Sequence, residues 1–105
     1  MVYFKNECPY CQKEATIIFE NIKQFADIDF VFISRDDSTS IINFAKANKL
    51  DNTPNIKFVQ DKDKLYYTFC KATYTPSIHI YNKHQQLMMF DEGTMKKDEI
   101  EKYIR

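Results

Sequence analysis

Apolar residues fall in short bursts along this 105-residue chain, and the period of the pattern changes from burst to burst. Val2-Tyr3-Phe4 opens a short buried strand over residues 2–6. Residues 11–25 carry Ala15, Ile18, Phe19, Ile22 and Phe25 at helical spacing, with Lys13, Glu20 and Lys23 elsewhere around the helix. Residues 28–34 form a nearly continuous apolar run, the pattern of a strand covered on both faces. The polar stretch Ser34-Arg35-Asp36-Asp37 reads as a loop. Asp37 or Ser38 is suited to cap a helix over 39–48, which presents Ile41, Ile42, Phe44 and Ala45. Asn52-Thr53-Pro54-Asn55 breaks that helix. A short strand is expected over 56–59, then a short helix capped by Asp61 and running to about Cys70, with Leu65, Tyr66 and Phe69 as its apolar residues. Thr75-Pro76 is a second break. Ser77 to Tyr81 reads as a strand, Asn82-Lys83-His84-Gln85 as a turn, and Gln86 to Phe90 as the returning strand of a hairpin. Asp91-Glu92-Gly93 holds the only glycine, and residues 95–104 form a last helix with Ile100, Tyr103 and Ile104 apolar.

This order predicts an α/β domain. Its first half is a β-α-β unit with a parallel strand pair, and its second half adds an antiparallel hairpin. There are no internal repeats or linkers, so residues 1–105 are read as one domain. A hydrophobic content of 44%, with nine Phe and seven Tyr, is enough for a packed core and argues against disorder. Fifteen basic and fifteen acidic residues are well mixed and give zero formal net charge, which leaves no basic footprint for nucleic acid. The longest apolar run, near Phe30 to Ile33, is far too short to span a membrane. No signal-peptide pattern is visible, and the chain reads either as a complete small protein or as a domain cut from a longer precursor. Three cysteines are too few for a disulfide scaffold.

The chemistry concentrates in Cys8-Pro9-Tyr10-Cys11. Two cysteines two residues apart, after a strand and at the start of a helix, read as a dithiol redox pair. A cysteine at a helix N-cap faces unpaired backbone N–H groups and the positive end of the helix dipole, and both favour thiolate. Pro9 suits the first helical position, which needs no N–H. Cys11, on the first turn, lies close enough to close a disulfide with Cys8. Inert core cysteines are the plain alternative. Structural zinc is disfavoured, because two thiols do not complete a four-ligand site and no second C-x-x-C or His pair is suitably spaced. No metal or other cofactor is expected.

With these residues in place, the sequence resembles the thioredoxin superfamily across almost its whole length. Three signatures coincide in order: Cys8-Pro9-Tyr10-Cys11 after the first strand, Thr75-Pro76 before a later strand, and Gly93 after the last hairpin strand. Within the superfamily it looks most like the TlpA/ResA-like thiol-disulfide oxidoreductases, also known as redoxin or AhpC/TSA-type proteins. Glu14, giving C-x-x-C-x-x-E, and the insertion between Asn52 and Tyr74 carry that closer likeness. The Pro-Tyr dipeptide is that of glutaredoxins, but the Thr-Val-Pro and Gly-Gly elements that hold glutathione are missing. No P-x-x-x-T-x-x-C peroxiredoxin motif is present. Glu7 stands where thioredoxins carry Trp, and Val2 where they carry a buried Asp.

The resemblance implies a three-layer sandwich, a central mixed sheet of four to five strands flanked by helices. It implies Cys8 as the attacking thiol, Cys11 as the resolving thiol and Glu14 as a proton shuttle to or from Cys11. That last role needs burial to raise the carboxyl pKa towards neutrality, and the alternative is a solvent-facing Glu beside Lys13. It further implies a cis peptide at Thr75-Pro76, with Pro9, Tyr10, Thr75 and Pro76 forming the substrate-binding surface. The partners implied are a protein substrate carrying a disulfide or dithiol and a second redox protein that recycles the pair, with the chain itself a monomer. A reductant in the periplasm or otherwise outside the cytoplasm is the setting the family favours, and a cytoplasmic one stays open. Two other readings remain: a thioredoxin-fold docking module with an idle disulfide, and a glutaredoxin-like enzyme.

The remaining chemistry-bearing residues have plainer expectations. Glu7 is expected to point outward rather than oppose a Cys8 thiolate. Cys70 is expected to be a buried, unreactive thiol. His79 alternates with Ile78 and Ile80, so it faces the other side of its strand as a satisfied, half-buried histidine. His84 is expected to be solvated in the hairpin turn, and the aromatic clusters to be core.

Overall fold

The structure is a computed structural model that describes residues 1–63 and 75–104. Five strands form one mixed sheet: β1 (Val2–Tyr3), β2 (Phe30–Ser34), β3 (Ile56–Gln60), β4 (Ser77–Tyr81) and β5 (Leu87–Glu92). Their spatial order is β3-β2-β1-β4-β5. β1 pairs parallel with β2 (Val2 opposite Phe32) and antiparallel with β4 (Val2 opposite Ile78). β2 pairs parallel with β3, and β4 antiparallel with β5. The helices are α1 (Pro9–Glu20), α2 (Ser38–Ala47) and α3 (Lys97–Ile104).

The chain steps from β1 to β2 to β3 in one direction, so right-handed crossovers place α1 and α2 on the same face of the sheet. Their apolar residues meet the inward strand positions there. Val2, Phe4, Phe30, Phe32, Ile78 and Ile80 pack with Ala15 and Ile18 of α1, Ile41 and Phe44 of α2, and Ile100 of α3. Phe4 stands at the centre of an aromatic nest, with ring centroids 4.4 Å from Phe44 and 5.8 Å from Phe32. Tyr3 and Ile33 alternate with these positions and form a second cluster on the opposite face. The short helix expected after Asp61, which includes Cys70, falls on residues outside those described.

Several bounds differ from the expectation; β2 begins at Phe30 rather than at 28, and the last helix at Lys97 rather than at 95. β1 is two residues long rather than five, though Phe4 still donates its N–H to Ile33 O at 3.0 Å. α1 spans Pro9–Glu20, not 11–25. It starts earlier because Cys8 caps it and Pro9 needs no donor. It stops at Asn21, whose side-chain amide donates to Ile17 O at 2.8 Å and whose backbone N–H turns back to the last helical carbonyls. Ile22 and Phe25 keep facing the core from the turns that follow, so their apolar spacing extends beyond the helix. Asn55 ties those turns down by donating to Phe25 O at 3.0 Å and Ile28 O at 2.7 Å. Asp37 is the N-cap of α2, its carboxylate accepting from Ser40 N–H at 2.8 Å. The hairpin is closed by Asn82, which accepts from the N–H groups of His84 and Gln86. β5 runs two residues past the expected Phe90, to Glu92.

Candidate functional site: a capped dithiol over a buried carboxyl

Central position in the sheet brings the two halves of the site together. β1 lies between β2 and β4, so the end of β1 faces the start of β4. Cys8 follows β1 as the N-cap of α1, in extended conformation with φ −123 and ψ 109. Its Sγ accepts the Cys11 backbone N–H at 3.1 Å, one of the donors that a helix start leaves without an intrahelical partner. Across the cleft, Thr75 Oγ1 donates to Cys8 Sγ at 3.5 Å, and the Cys8 thiol lies 3.6 Å from Thr75 O. The Thr75-Pro76 peptide is cis. Pro76 O in turn accepts from Gly93 N–H at 2.7 Å, where φ of +103 suits glycine. The three sequence signatures are thus joined in space, from Cys8 through Thr75-Pro76 to Gly93.

Both cysteines are free thiols with different surroundings. Burial disfavours a Cys8 thiolate, but hydrogen bonds from Cys11, Thr75 and the Cys11 and Tyr10 backbone outweigh it and lower the Cys8 pKa below the ordinary thiol value. Cys11 is 1% exposed. Its pKa is raised to about 12, first by burial, then by its hydrogen bond to Cys8 and the negative charge that Cys8 carries. One thiol is therefore poised as nucleophile and the other held protonated behind it.

Glu14 is completely buried on α1, one turn beyond Cys11. The solvent-facing alternative for this residue is excluded. Its Oε2 accepts the Met95 N–H at 3.0 Å, and its Oε1 is buried with no hydrogen-bond partner among the described residues. Burial pushes its pKa up from 4.5 to about 8; the Met95 bond opposes this, and repulsion from Glu99 and Asp91 adds to it. Pro9 and Tyr10, which follow Cys8 in the chain, are exposed, Tyr10 at 65%, while Pro76 is buried. Glu7 is exposed, as expected. His79 is 3% exposed, more deeply buried than expected, and packs its ring 4.5 Å from that of Phe90 on the outer hairpin strand. His84 is exposed in the turn.

Three partners of this site escaped the sequence reading: Met95, whose N–H fixes Glu14 from 81 residues away, and Asp91 and Glu99, whose charges act on it. Gly93 was the available signal, since the turn it allows delivers Met95. Among the described residues, no group of three or more His, Cys, Asp or Glu side chains is placed to hold a metal ion, and no helix is long and apolar enough to cross a membrane.

A family profile described as thioredoxin-like domain matches residues 1–105. The chain belongs to that family. Solved structures agree with the thioredoxin-like fold. One is a secreted Mycobacterium tuberculosis disulfide oxidoreductase homologous to Escherichia coli DsbE, with a TM-score of 0.79 and 19% identity over 97% of this chain and 75% of that one. M. tuberculosis DsbF, in mixed oxidised and reduced forms, gives 0.78 and 21% over 97% and 74%. StoA from Bacillus subtilis gives 0.78 and 17% over 97% and 78%. No curated protein matches the sequence. In this thioredoxin-like domain the capped cysteine pair lies at the C-terminal end of the parallel strands β1 and β2, where open α/β sheets commonly bind their ligands.

Proposed function

We propose that this thioredoxin-like domain is a thiol-disulfide oxidoreductase that reduces protein disulfides through Cys8 and Cys11. The observation that carries the reading is the Cys8 sulfur, which accepts the Cys11 N–H and the Thr75 hydroxyl while Cys11 lies buried behind it. Cys8 Sγ attacks one sulfur of the substrate disulfide; the other leaves as a thiolate and takes a proton from solvent. Cys11 gives its proton to the Glu14 carboxylate, and its thiolate attacks Cys8 Sγ. The second substrate sulfur leaves, and the Cys8–Cys11 disulfide remains. Two electrons have passed from the dithiol to the substrate, and a second redox protein returns them to the domain.

The exposed Tyr10 and Pro9, with Thr75 across the cleft, are proposed as the surface that receives the substrate. An extended segment would pair with the Thr75 backbone. The TlpA/ResA-like likeness, with Glu14 buried one turn past the dithiol, supports the reductant direction and an extracytoplasmic setting. The secreted M. tuberculosis oxidoreductase of similar fold is in keeping with that setting.

Insulin reduction under dithiothreitol recycling tests this reading. Wild type is expected to precipitate the insulin B chain well above the uncatalysed rate. Cys8→Ser is expected to match the blank, and equal rates in the two proteins would refute the proposal.

A further inference from the structure

The stretch between β1 and α1 leads to the attacking thiol. β1 ends at Tyr3, Phe4 N–H still reaches Ile33 O, and α1 begins at Pro9. Asn6 and Glu7 form a turn between them, and Asn6 is tied on both sides. Its backbone N–H donates to Asp36 Oδ2 at 2.7 Å, and its carbonyl accepts from the exposed Gln12 side chain at 3.4 Å. The first bond is short, charge-assisted and half-buried, whereas the second is long and open to water. Asp36 therefore supplies most of the restraint.

Asp36 is itself anchored on the sheet. Its N–H donates to Ser34 Oγ at 3.1 Å, and Ser34, the last residue of β2, is completely buried. Its carbonyl accepts from the side chain of Gln60, the last residue of β3, at 3.2 Å. Asp61 N–H, just past β3, donates to Ser34 O at 2.6 Å. Asp37, the next residue after Asp36, caps α2. The carboxylate thus stands on β2, β3 and α2 and grips the loop after β1, two residues before Cys8. Cys8 meets the Cys11 N–H from an extended N-cap conformation, and where the preceding turn leaves the chain sets that conformation.

We propose that Asp36 is a positioning residue for the attacking thiol: its carboxylate holds the Asn6 N–H and so fixes Cys8 in the N-cap conformation that puts the Cys8 sulfur on the Cys11 N–H. Asp36 acts here as an acceptor. As a charge alone, a carboxylate opposes a neighbouring thiolate, so the two roles shift Cys8 in opposite directions. The same hold steadies Lys5, the residue before Asn6, whose backbone hydrogen-bonds the Cys11 sulfur and opposes the rise in its pKa. The benefit to turnover rests on the proposed redox reading, whereas the hold on the Cys8 sulfur does not.

The test is the pH profile of Cys8 alkylation by iodoacetamide in the reduced protein, with the label located on Cys8 by peptide fragmentation. Asp36→Ala removes the acceptor, so the profile is expected to move to higher pH, and the rate at about pH 6 to fall by about threefold or more as the thiolate fraction drops. Asp36→Asn keeps an acceptor oxygen at the same reach without the charge and is expected to stay within about twofold of wild type. An Ala profile that overlies wild type, even in a variant less stable in urea, would reduce Asp36 to a structural residue and overturn the proposal. Profiles displaced to lower pH in both variants would show that Asp36 acts as a charge, and an Asn profile displaced upward like that of Ala would show that the acceptor is not what matters; either result overturns it. Asp36→Ser, too short to reach the Asn6 N–H, replaces Ala if that variant does not fold. Insulin reduction by the same proteins separates the two readings: a clamp effect on alkylation in a wild type that does not reduce insulin would leave this inference standing and refute the redox one.

Discussion

Cys11→Ser is expected to arrest the reaction after its first step, and Cys8→Ser to prevent that step. A serine hydroxyl at position 8 is not ionised near neutral pH and does not replace the thiolate held by Cys11 N–H and Thr75 Oγ1, so turnover is expected to fall by about 10³-fold or more. Cys11→Ser retains that thiolate and, having no resolving thiol, accumulates a mixed disulfide with the substrate. The backbone N–H of residue 11 remains to support Cys8, so the first step is expected to keep its rate within severalfold. Intact-mass analysis after mixing with a disulfide peptide checks both outcomes. One peptide mass is added to Cys11→Ser and none to Cys8→Ser. Adducts of equal yield on both variants would mean that Cys8 is not the attacking group.

Glu14→Gln is expected to change the pH dependence of stability more than any other single substitution at the site. The folded carboxyl has a pKa raised from 4.5 to about 8, so the folded state binds more protons than the unfolded state between those values. Its contribution to stability is full below about pH 4.5 and is lost as pH rises through about 8. The displacement corresponds to roughly 5 kcal/mol. Gln keeps the shape and an acceptor for Met95 N–H but cannot ionise. The variant is therefore expected to match wild type near pH 5 and to exceed it by several kcal/mol near pH 9 in urea unfolding. A difference that does not change with pH would show that Glu14 ionises normally. The same carboxylate is the proposed base for Cys11. In wild type, closure of the Cys8–Cys11 disulfide should therefore accelerate through about pH 8, and in the Gln variant that rise should disappear.

The pattern of residues made part of this architecture legible. The nearly continuous apolar run into β2 and the bounded segment Ser77–Tyr81 required little beyond their local neighbours; β4 has the expected bounds, and β2 ends at Ser34 as expected but begins at Phe30 rather than at 28. Cys8 and Pro9 carried the start of α1 because capping is a local property. The end of α1 was not legible, since Ile22 and Phe25 continue the helical spacing while packing from turns. Nor was the depth of Glu14. Beside Lys13 it reads equally well as a solvated helix residue. Only the fold brings the Gly93 turn against it, with Met95 N–H as partner and Asp91 and Glu99 as neighbouring charges. The cysteines and Thr75-Pro76 were visible as motifs. The bond between Thr75 Oγ1 and Cys8 Sγ, across 67 residues of sequence, was not.

The central claim is that Cys8 and Cys11 form one reversible two-electron couple, and a redox titration followed by mass spectrometry tests it most directly. The protein is equilibrated against glutathione or dithiothreitol buffers, quenched by alkylation and digested. The account predicts that a single fragment holding Cys8 and Cys11 passes from two alkylated thiols to one internal disulfide. The transition should have a tenfold change for about every 30 mV and a midpoint nearer thioredoxin's, about −270 mV, than that of the oxidant DsbA, about −120 mV. A midpoint near DsbA's would reverse the proposed direction of electron flow. If no Cys8–Cys11 disulfide forms at any poise, the account is wrong.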